Sequence, residues 1–179
     1  KQVKMLVLIM DFYKEATERL SDDIWLLRGY SNLLSLTGRQ EQAIEVYNKV
    51  LLNLNNQAYA WHELSKLIRS QDADLAHSML CMAISKQPKE DFLGDIRLDL
   101  AEILISKKIL AEAKRELITY KSFRESKEWK LSDRYSQLYQ AVESANSLDY
   151  DKSYYKSHSS LAEEYLYKDI EWQPFLIYR

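Results

Sequence analysis

The chain has 179 residues and a formal net charge of −2, so it lacks a general positive field that would attract a phosphate backbone. Its one cysteine, Cys81, excludes a disulfide within the chain and fits a reducing compartment. The longest apolar run near the start, residues 5–10, is too short for a signal core or a membrane span. Composition therefore predicts a cytoplasmic protein with no membrane segment and argues against nucleic acid as a partner.

Helix breakers are scarce, because the whole chain contains only three Gly and two Pro. Leu, Ala, Glu and Lys, which favour helices, are plentiful. The predicted fold class is therefore all-α.

The predicted helices follow one another with short turns. The first covers residues 1–20, and Ser21, Asp22 and Asp23 end it and cap the next helix. Three helix pairs follow, over residues 24–36 and 40–54, 57–70 and 75–88, and 91–106 and 109–122. Single helices are predicted over residues 133–145 and 152–168, and residues 170–179 are predicted to be extended. These elements suggest three parts: a flanking helix (1–23), a helical array with a capping helix (24–145), and a Tyr-rich helix with a tail (146–179).

One spacing pattern recurs three times between residues 24 and 122. Leu27 and Trp61 hold the same place in the first two copies and stand 34 residues apart. Small residues recur at one place on each helix of a pair, where two helices can approach closely. They are Ser31, Ser65 and Ala101 on the first helices and Ala43, Ala76 and Ala113 on the second helices.

This pattern resembles the tetratricopeptide repeat, whose period is about 34 residues. The resemblance implies a right-handed superhelix of antiparallel helix pairs with flanking and capping helices. The third copy departs from the family pattern, with Arg97 at a large apolar position and Tyr120 at a small one. A more diffuse resemblance, over residues 92–129 and 154–172, is to the helical region of multidomain bacterial proteins with such repeats.

The resemblance also implies a concave groove, lined by positions on the first helix of each pair that the core does not use. These positions hold Trp25, Arg28, Asn32 and Ser35, then Tyr59, His62, Lys66 and Arg69, then Asp95, Leu98, Glu102 and Ile105. The mixture suits an extended peptide or a partner helix with apolar anchors and charge. The alternative is that these residues are solvated helix faces or are covered by the protein's own termini.

Some family members hold a terminal carboxylate of heat-shock chaperones in a basic clamp. Arg28 and Asn32 match the first two clamp positions, but Lys66 replaces an expected Asn. Asp95 and Asp99 stand where Lys and Arg are required and would repel a carboxylate. The sequence argues against this ligand.

Catalytic and metal-binding patterns are incomplete. His62 and Glu63 begin like a zinc-protease helix, but Lys66 stands where the second histidine is needed. His77 and Cys81 supply only two ligands, too few to close a zinc site. Glycine occurs only at 29, 38 and 94, which excludes the common glycine-rich nucleotide motifs. We therefore predict no enzyme activity, no catalytic residue, no metal and no cofactor.

The leading hypothesis is a non-catalytic interaction or scaffold module that binds a peptide or partner segment in its groove. The alternative is a helical accessory domain of a larger enzyme or nucleic-acid-processing protein, whose active site lies outside this segment. The expected partner is a protein or peptide, or other domains of the same polypeptide. Lys1 in place of Met leaves open that the chain is an excised part.

Two further hypotheses concern other surfaces. The Tyr-rich C-terminus suggests self-association. A basic and aromatic run suggests a minor strand-binding patch, diluted by Glu125 and Glu128. That run contains Lys121, Arg124, Lys127 and Lys130, with Phe123 and Trp129 between them.

Overall fold

A computed structural model describes residues 2–168, including the side chains of residue 5 and residues 8–168. Over this range the chain is helical and forms no strand, which confirms the all-α prediction. The helices are α1 (Gln2–Arg19), α2 (Ile24–Leu36), α3 (Gln40–Leu54), α4 (Ala58–Ile68), α5 (Ala73–Lys86), α6 (Gly94–Ser106), α7 (Leu110–Ser126), α8 (Asp133–Val142), α9 (Lys152–Ser157) and α10 (Ser160–Tyr167).

The helices stack as three pairs, α2 with α3, α4 with α5, and α6 with α7, in which the contacts are most extensive. The second helix of each of the first two pairs also packs against the first helix of the next pair. Helix α1 packs against α2 at one end, and α8 packs against α6 and α7 at the other. The architecture is a tetratricopeptide-like helical array with flanking helices, as predicted.

The small residues of the repeat pattern are buried in the helical array. Ser31, Ala43, Ala76, Ala101 and Ala113 are all fully buried. In the first pair, the Ser31 hydroxyl donates to the Ala43 carbonyl oxygen at 2.7 Å. A larger side chain at these places would separate the helices, so the spacing seen in the sequence sets the pair geometry.

Short oxygen side chains begin several of the helices. The Asp23 carboxylate accepts from the Leu26 N–H at 2.9 Å, and Asp72 accepts from Leu75 N–H at 2.8 Å. Gly38, two residues before α3, has a φ of 79°, which only glycine adopts without strain. Lys108 stands at the same place before α7 and is also left-handed, with a φ of 65°.

Replacing Lys108 with Gly should raise the free energy of unfolding by about 0.5–1 kcal/mol. Removing Cβ relieves about 1–2 kcal/mol of left-handed strain, and the greater freedom of glycine in the unfolded chain offsets part of this gain. Urea denaturation followed by circular dichroism would measure the change. Lys107→Gly is the matched control and should destabilise, because Lys107 has a φ of −83°. A less stable Lys108→Gly variant would contradict the strain argument.

Several predicted helix boundaries are wrong. Helix α5 covers Ala73–Lys86 rather than residues 75–88, and α8 ends at Val142 rather than residue 145. Helix α6 begins at Gly94 rather than residue 91, because a 3-10 turn (Glu90–Phe92) precedes it and places Glu90 against Arg97. Helix α7 continues to Ser126 rather than residue 122. The helix predicted over residues 152–168 is broken at His158 into α9 and α10.

We call α9 and α10 together the C-terminal clasp (Lys152–Tyr167). The clasp packs along α5, and α10 reaches α3. The Ala162 N–H donates to Ser78 Oγ at 2.9 Å, and the Tyr165 hydroxyl donates to Asn48 Oδ1 at 3.0 Å. Helix α5 is consequently buried on all sides from Ala76 to Ile84. The predicted extended segment, residues 170–179, lies outside the described residues.

The two departures from the repeat pattern in the third pair are each compensated. Arg97 is buried and pairs with Glu90 and with Glu116, whose side chain is 0% exposed. Hydroxyls of Tyr150 and Tyr155 donate to Glu116 Oε1 at 2.5 and 2.6 Å. We call these five residues the Arg97 network. It ties α6 and α7 to the start of the clasp.

The second departure, Tyr120, packs beside Gly94. A Cβ added to Gly94 would lie 3.5 Å from Tyr120 Cε2, which is an ordinary van der Waals contact. The Tyr120 ring also stacks on Tyr135 of α8 at 5.6 Å between centroids. A large residue at a small position therefore helps to hold α8 on the array.

Candidate functional site

A cavity of about 500 Å³ opens between α2 and α4, on the face formed by the first helix of each pair. We call it the α2–α4 pocket. Its lining consists of Trp25, Arg28, Gly29, Ser31, Asn32, Ser35, Tyr47, Glu63, Lys66 and Leu67. Five of these, Trp25, Arg28, Asn32, Ser35 and Lys66, belong to the predicted groove.

One wall of the pocket is fixed by Arg28. Its guanidinium forms a bidentate ion pair with Glu63, with Nε 2.7 Å from Oε2. The Tyr47 hydroxyl donates to the same Oε2 at 2.7 Å. Burial alone would raise the pKa of Glu63, but these hydrogen bonds lower it below its ordinary value. Glu63 is therefore held as a carboxylate that is already satisfied.

The Arg28 guanidinium also lies between two aromatic rings. It is 5.7 Å from the Trp25 ring centroid and 5.2 Å from that of Tyr59. Such cation–π contacts hold the planar group in place. The Trp25 ring, which is 65% exposed, is thereby kept at the pocket mouth.

Further along the face, two carboxylates of α6 contact basic side chains from α8 and from α4 and its C-terminal cap. His62 Nε2 lies 2.6 Å from Asp99 Oδ2, and Arg134 Nη2 lies 2.5 Å from Asp99 Oδ1. Arg134 also pairs with Glu102, which Arg69 reaches at 3.1 Å. Burial would raise the pKa of Asp99, but the hydrogen bonds from His62 and Arg134 lower it to about 2. This part of the face is closed by its own ion pairs.

The half-buried pair of Arg28 with Glu63 and the buried pair of His62 with Asp99 follow the repeat. Arg28 and His62 are each one residue after the large apolar position of their copy, and Glu63 and Asp99 are each two residues after it. A basic residue of one copy thus binds a carboxylate of the next. This register is present in the sequence, although neither Glu63 nor Asp99 is among the predicted groove residues. The role of Tyr47 and of Arg134, which comes from the capping helix, had no local signal.

The predicted groove residues differ in accessibility. Trp25, Asn32, Lys66 and Asp95 are exposed, whereas Arg28, Ser35, Tyr59, Arg69, Glu102 and Ile105 are half-buried. Leu98 is 3% exposed and His62 is 8% exposed. The expectation that these two line an open groove is corrected: Leu98 belongs to the core, and His62 is engaged by Asp99.

The part of the α2–α4 pocket that stays accessible combines an apolar surface with polar groups. The Trp25 ring forms the apolar surface, and Asn32 supplies an exposed amide. Lys66 Nζ is 3.8 Å from Asp99 Oδ2, but that carboxylate already binds His62 and Arg134. The Lys66 ammonium is therefore only weakly neutralised. The open part of the pocket therefore presents an apolar ring, an amide and an ammonium group.

Within residues 2–168, no three His, Cys, Asp or Glu side chains are grouped so that they could hold a metal ion. No helix in that range combines the length and apolarity needed to cross a membrane.

Cations of the basic and aromatic run are mostly engaged within the protein. Arg124 donates from Nε to the Lys130 carbonyl oxygen at 3.1 Å and stacks on Trp129 at 5.1 Å. Lys127 lies 3.7 Å from Asp91, and Lys121 lies 3.7 Å from Glu125. The Arg124 contacts hold Trp129 and Lys130 at the C-terminal end of α7.

Comparison with known proteins gives one family and a structural neighbour. The family model described as "Domain of unknown function (DUF7017)" matches residues 24–162. The structure described as "Crystal structure of MamA protein" is similar, with a TM-score of 0.58 and 16% sequence identity. The match covers 98% of this chain and 91% of that one. No curated protein matches.

At this low identity the likeness shows the fold alone. It supports the predicted tetratricopeptide-like helical array. Membership of the tetratricopeptide family itself, and the resemblance to multidomain bacterial proteins, stay predictions.

Proposed function

The chain belongs to the DUF7017 family, and we propose that it is a non-catalytic interaction module that binds a partner protein segment. The binding site is the α2–α4 pocket. The observation that carries this proposal is a cavity of about 500 Å³ with an exposed Trp25 and a weakly neutralised Lys66. An exposed tryptophan beside a fixed arginine is a typical anchor of protein interfaces.

The chemistry of the pocket limits what it binds. Arg28 and Glu63 neutralise each other, so the remaining net charge of the lining is that of Lys66. The opposite end of the face is occupied by Arg134 of α8. The partner segment should therefore be short and extended, with an apolar side chain for Trp25 and an acidic or acceptor group near Lys66.

Substituting Trp25 by Ala and Lys66 by Glu together should weaken partner binding at least about tenfold, or about 1.4 kcal/mol. Peptides selected from a random display library on the wild-type protein would serve as ligands, and fluorescence anisotropy would give Kd. Both side chains are at least half exposed, so the variant should keep the wild-type fold.

The matched control is Lys49→Glu, an equal charge change at an exposed position of α3 outside the pocket lining. It should leave Kd within about twofold, because surface charges far from a site affect mainly the association rate. Equal loss of affinity in the control and the double variant would reject the pocket as the binding site. So would a double variant that binds as tightly as the wild type.

The other hypotheses stay predictions. The Tyr-rich segment was expected to mediate self-association, but Tyr150, Tyr155 and Tyr165 contact the array itself. From the sequence we also propose that the chain has no catalytic activity and is cytoplasmic. A role as an accessory domain of a larger enzyme is the alternative proposal.

A further inference from the structure

Helix α1 stands where the second helix of a repeat pair would stand. Tyr13 precedes Tyr47 by 34 residues, and Gly29 precedes Glu63 by the same number. The Tyr47 hydroxyl donates to Glu63, and the Tyr13 ring lies so close to Gly29 that an added Cβ would be 2.9 Å from it. Helix α1 therefore meets α2 in the same register in which α3 meets α4.

The side of α1 that faces away from the array differs from its equivalent in α3. In α3 this side packs against α2, and Ala43, whose carbonyl oxygen accepts from Ser31, is fully buried there. The equivalent residue of α1 is Ile9, 34 positions earlier, and it is 40% exposed. Over residues 2–168, α2 is the one helix with extensive contacts to α1. Helix α1 thus has a pairing face with no helix against it.

Four apolar side chains form a stripe on this face, which we call the α1 stripe. Met5, Leu8, Ile9 and Phe12 follow the i, i+3, i+4, i+7 spacing of one helix side, and each is 40–69% exposed. Met10, on the inner side, is buried with Leu34 in the core. The stripe exposes about 450 Å² in total, within the range of apolar patches that mark interaction sites.

We propose that the α1 stripe binds the α1 stripe of a second copy, with the two helices antiparallel about a two-fold axis between Leu8 and Ile9. Met5 then lies opposite Phe12 of the second copy, so that apolar side chains meet along the whole stripe. Because the same surface is used on both copies, one contact covers both stripes and the assembly closes as a dimer.

The charges of α1 favour the antiparallel order. Lys4 and Asp11 are seven residues apart in the sequence and therefore belong to the same side of the helix, next to the stripe. Rotation about the proposed axis brings position 4 of one copy within about 3 Å, along the helix axis, of position 11 of the other. A parallel order would instead place identical charges opposite each other, which is unfavourable.

The size of the stripe sets the strength of the dimer. Pairing two stripes buries about 900 Å² of apolar surface, and the polar rim brings the total close to the lower limit of a specific interface, about 1,000 Å². We expect a weak dimer, with a Kd of about 20 µM. No residue of the stripe lines the α2–α4 pocket, so this contact goes beyond the proposed partner binding and does not depend on it.

Sedimentation equilibrium of the 179-residue chain tests the proposal. The mass should be near 21.2 kDa at about 1 µM and at least about 1.5-fold higher at about 200 µM. Phe12→Glu should abolish the rise, because it places a carboxylate of each copy in the apolar contact. The matched control is Phe92→Glu, since both rings are 65% exposed, and it should keep the rise.

Three results would overturn the proposal. A wild-type mass of 21.2 kDa at every concentration would leave the stripe to residues 169–179 or to another protein. An undiminished rise in Phe12→Glu would place self-association elsewhere. So would loss of the rise in Phe92→Glu, with circular dichroism showing that the variant is folded.

Disulfide formation tests the antiparallel order, because the natural cysteine, Cys81, is buried. Under copper-phenanthroline oxidation at about 200 µM, Leu8→Cys should give a covalent dimer, since position 8 lies beside the axis. Phe12→Cys alone should not, because its two copies are about 10 Å apart along the axis. A mixture of Met5→Cys and Phe12→Cys should cross-link to each other. Efficient cross-linking of Phe12→Cys alone, or none in Leu8→Cys, contradicts the proposed pairing.

Discussion

Replacing Arg97 with Met should lower the free energy of unfolding by about 3–5 kcal/mol at pH 7. The substitution leaves Glu116, a fully buried carboxylate, with two tyrosine hydroxyls but without its cation. It also removes the bonds from Arg97 to Glu90 and to the Tyr155 hydroxyl. Urea denaturation followed by circular dichroism gives the change from the midpoint and slope.

Two comparisons isolate the buried charge. Arg19→Met removes an exposed ion pair with Glu15 and should change the stability by less than about 0.5 kcal/mol. The double variant Arg97→Met with Glu116→Met should be less destabilised than the sum of the single variants, because no charge is left unpaired. An Arg97→Met variant as stable as Arg19→Met would contradict the assignment of the Arg97 network as a structural link.

The second large expected effect concerns Trp61. Trp61→Ala should destabilise the protein by about 3–5 kcal/mol, because it opens a cavity in the centre of the array. The Trp61 side chain is almost fully buried, and its Nε1–H donates to the Asn55 carbonyl oxygen at 2.7 Å. The measurement is again the unfolding free energy in urea.

Trp61→Phe should be milder than Trp61→Ala, because the smaller ring fills much of the space and the main loss is the hydrogen bond to Asn55. Trp25→Ala removes the same side chain from an exposed position and should change stability by less than about 0.5 kcal/mol. If Trp25→Ala and Trp61→Ala were equally destabilising, the division of the tryptophans into core and binding surface would be wrong.

The Arg97 network explains why the third copy departs from the repeat pattern. A large apolar residue at position 97 would pack the pair, but it would not fix Tyr150 and Tyr155 against α7. Arginine forms bonds on several sides at once and can join three elements at one point. The departure from the family pattern is therefore the place where the C-terminal segment is attached.

The sequence was informative about the candidate site only in part. Helical spacing identified Trp25, Arg28, Asn32, Ser35 and Lys66, which the structure brings to one cavity. Spacing gives the side of a helix on which a residue lies, but it does not give what covers that side. Leu98 and His62 lie at equivalent positions, yet both are buried against neighbouring elements.

The sequence alone determined the all-α class, the repeat and most helix bounds, since α2 and α3 have the predicted limits. These depend on local features, namely apolar periodicity, caps such as Asp23 and a left-handed Gly38, which act within one or two turns. The tertiary structure alone decided the partners of Arg97, the docking of Arg134 and the path of the clasp along α5. Apart from Arg97 and Glu90, which are 7 positions apart, each of these joins residues more than 15 positions apart, as with Arg134 and Asp99 at 35 and Ala162 and Ser78 at 84. Such contacts depend on where whole helices pack, which no local pattern encodes.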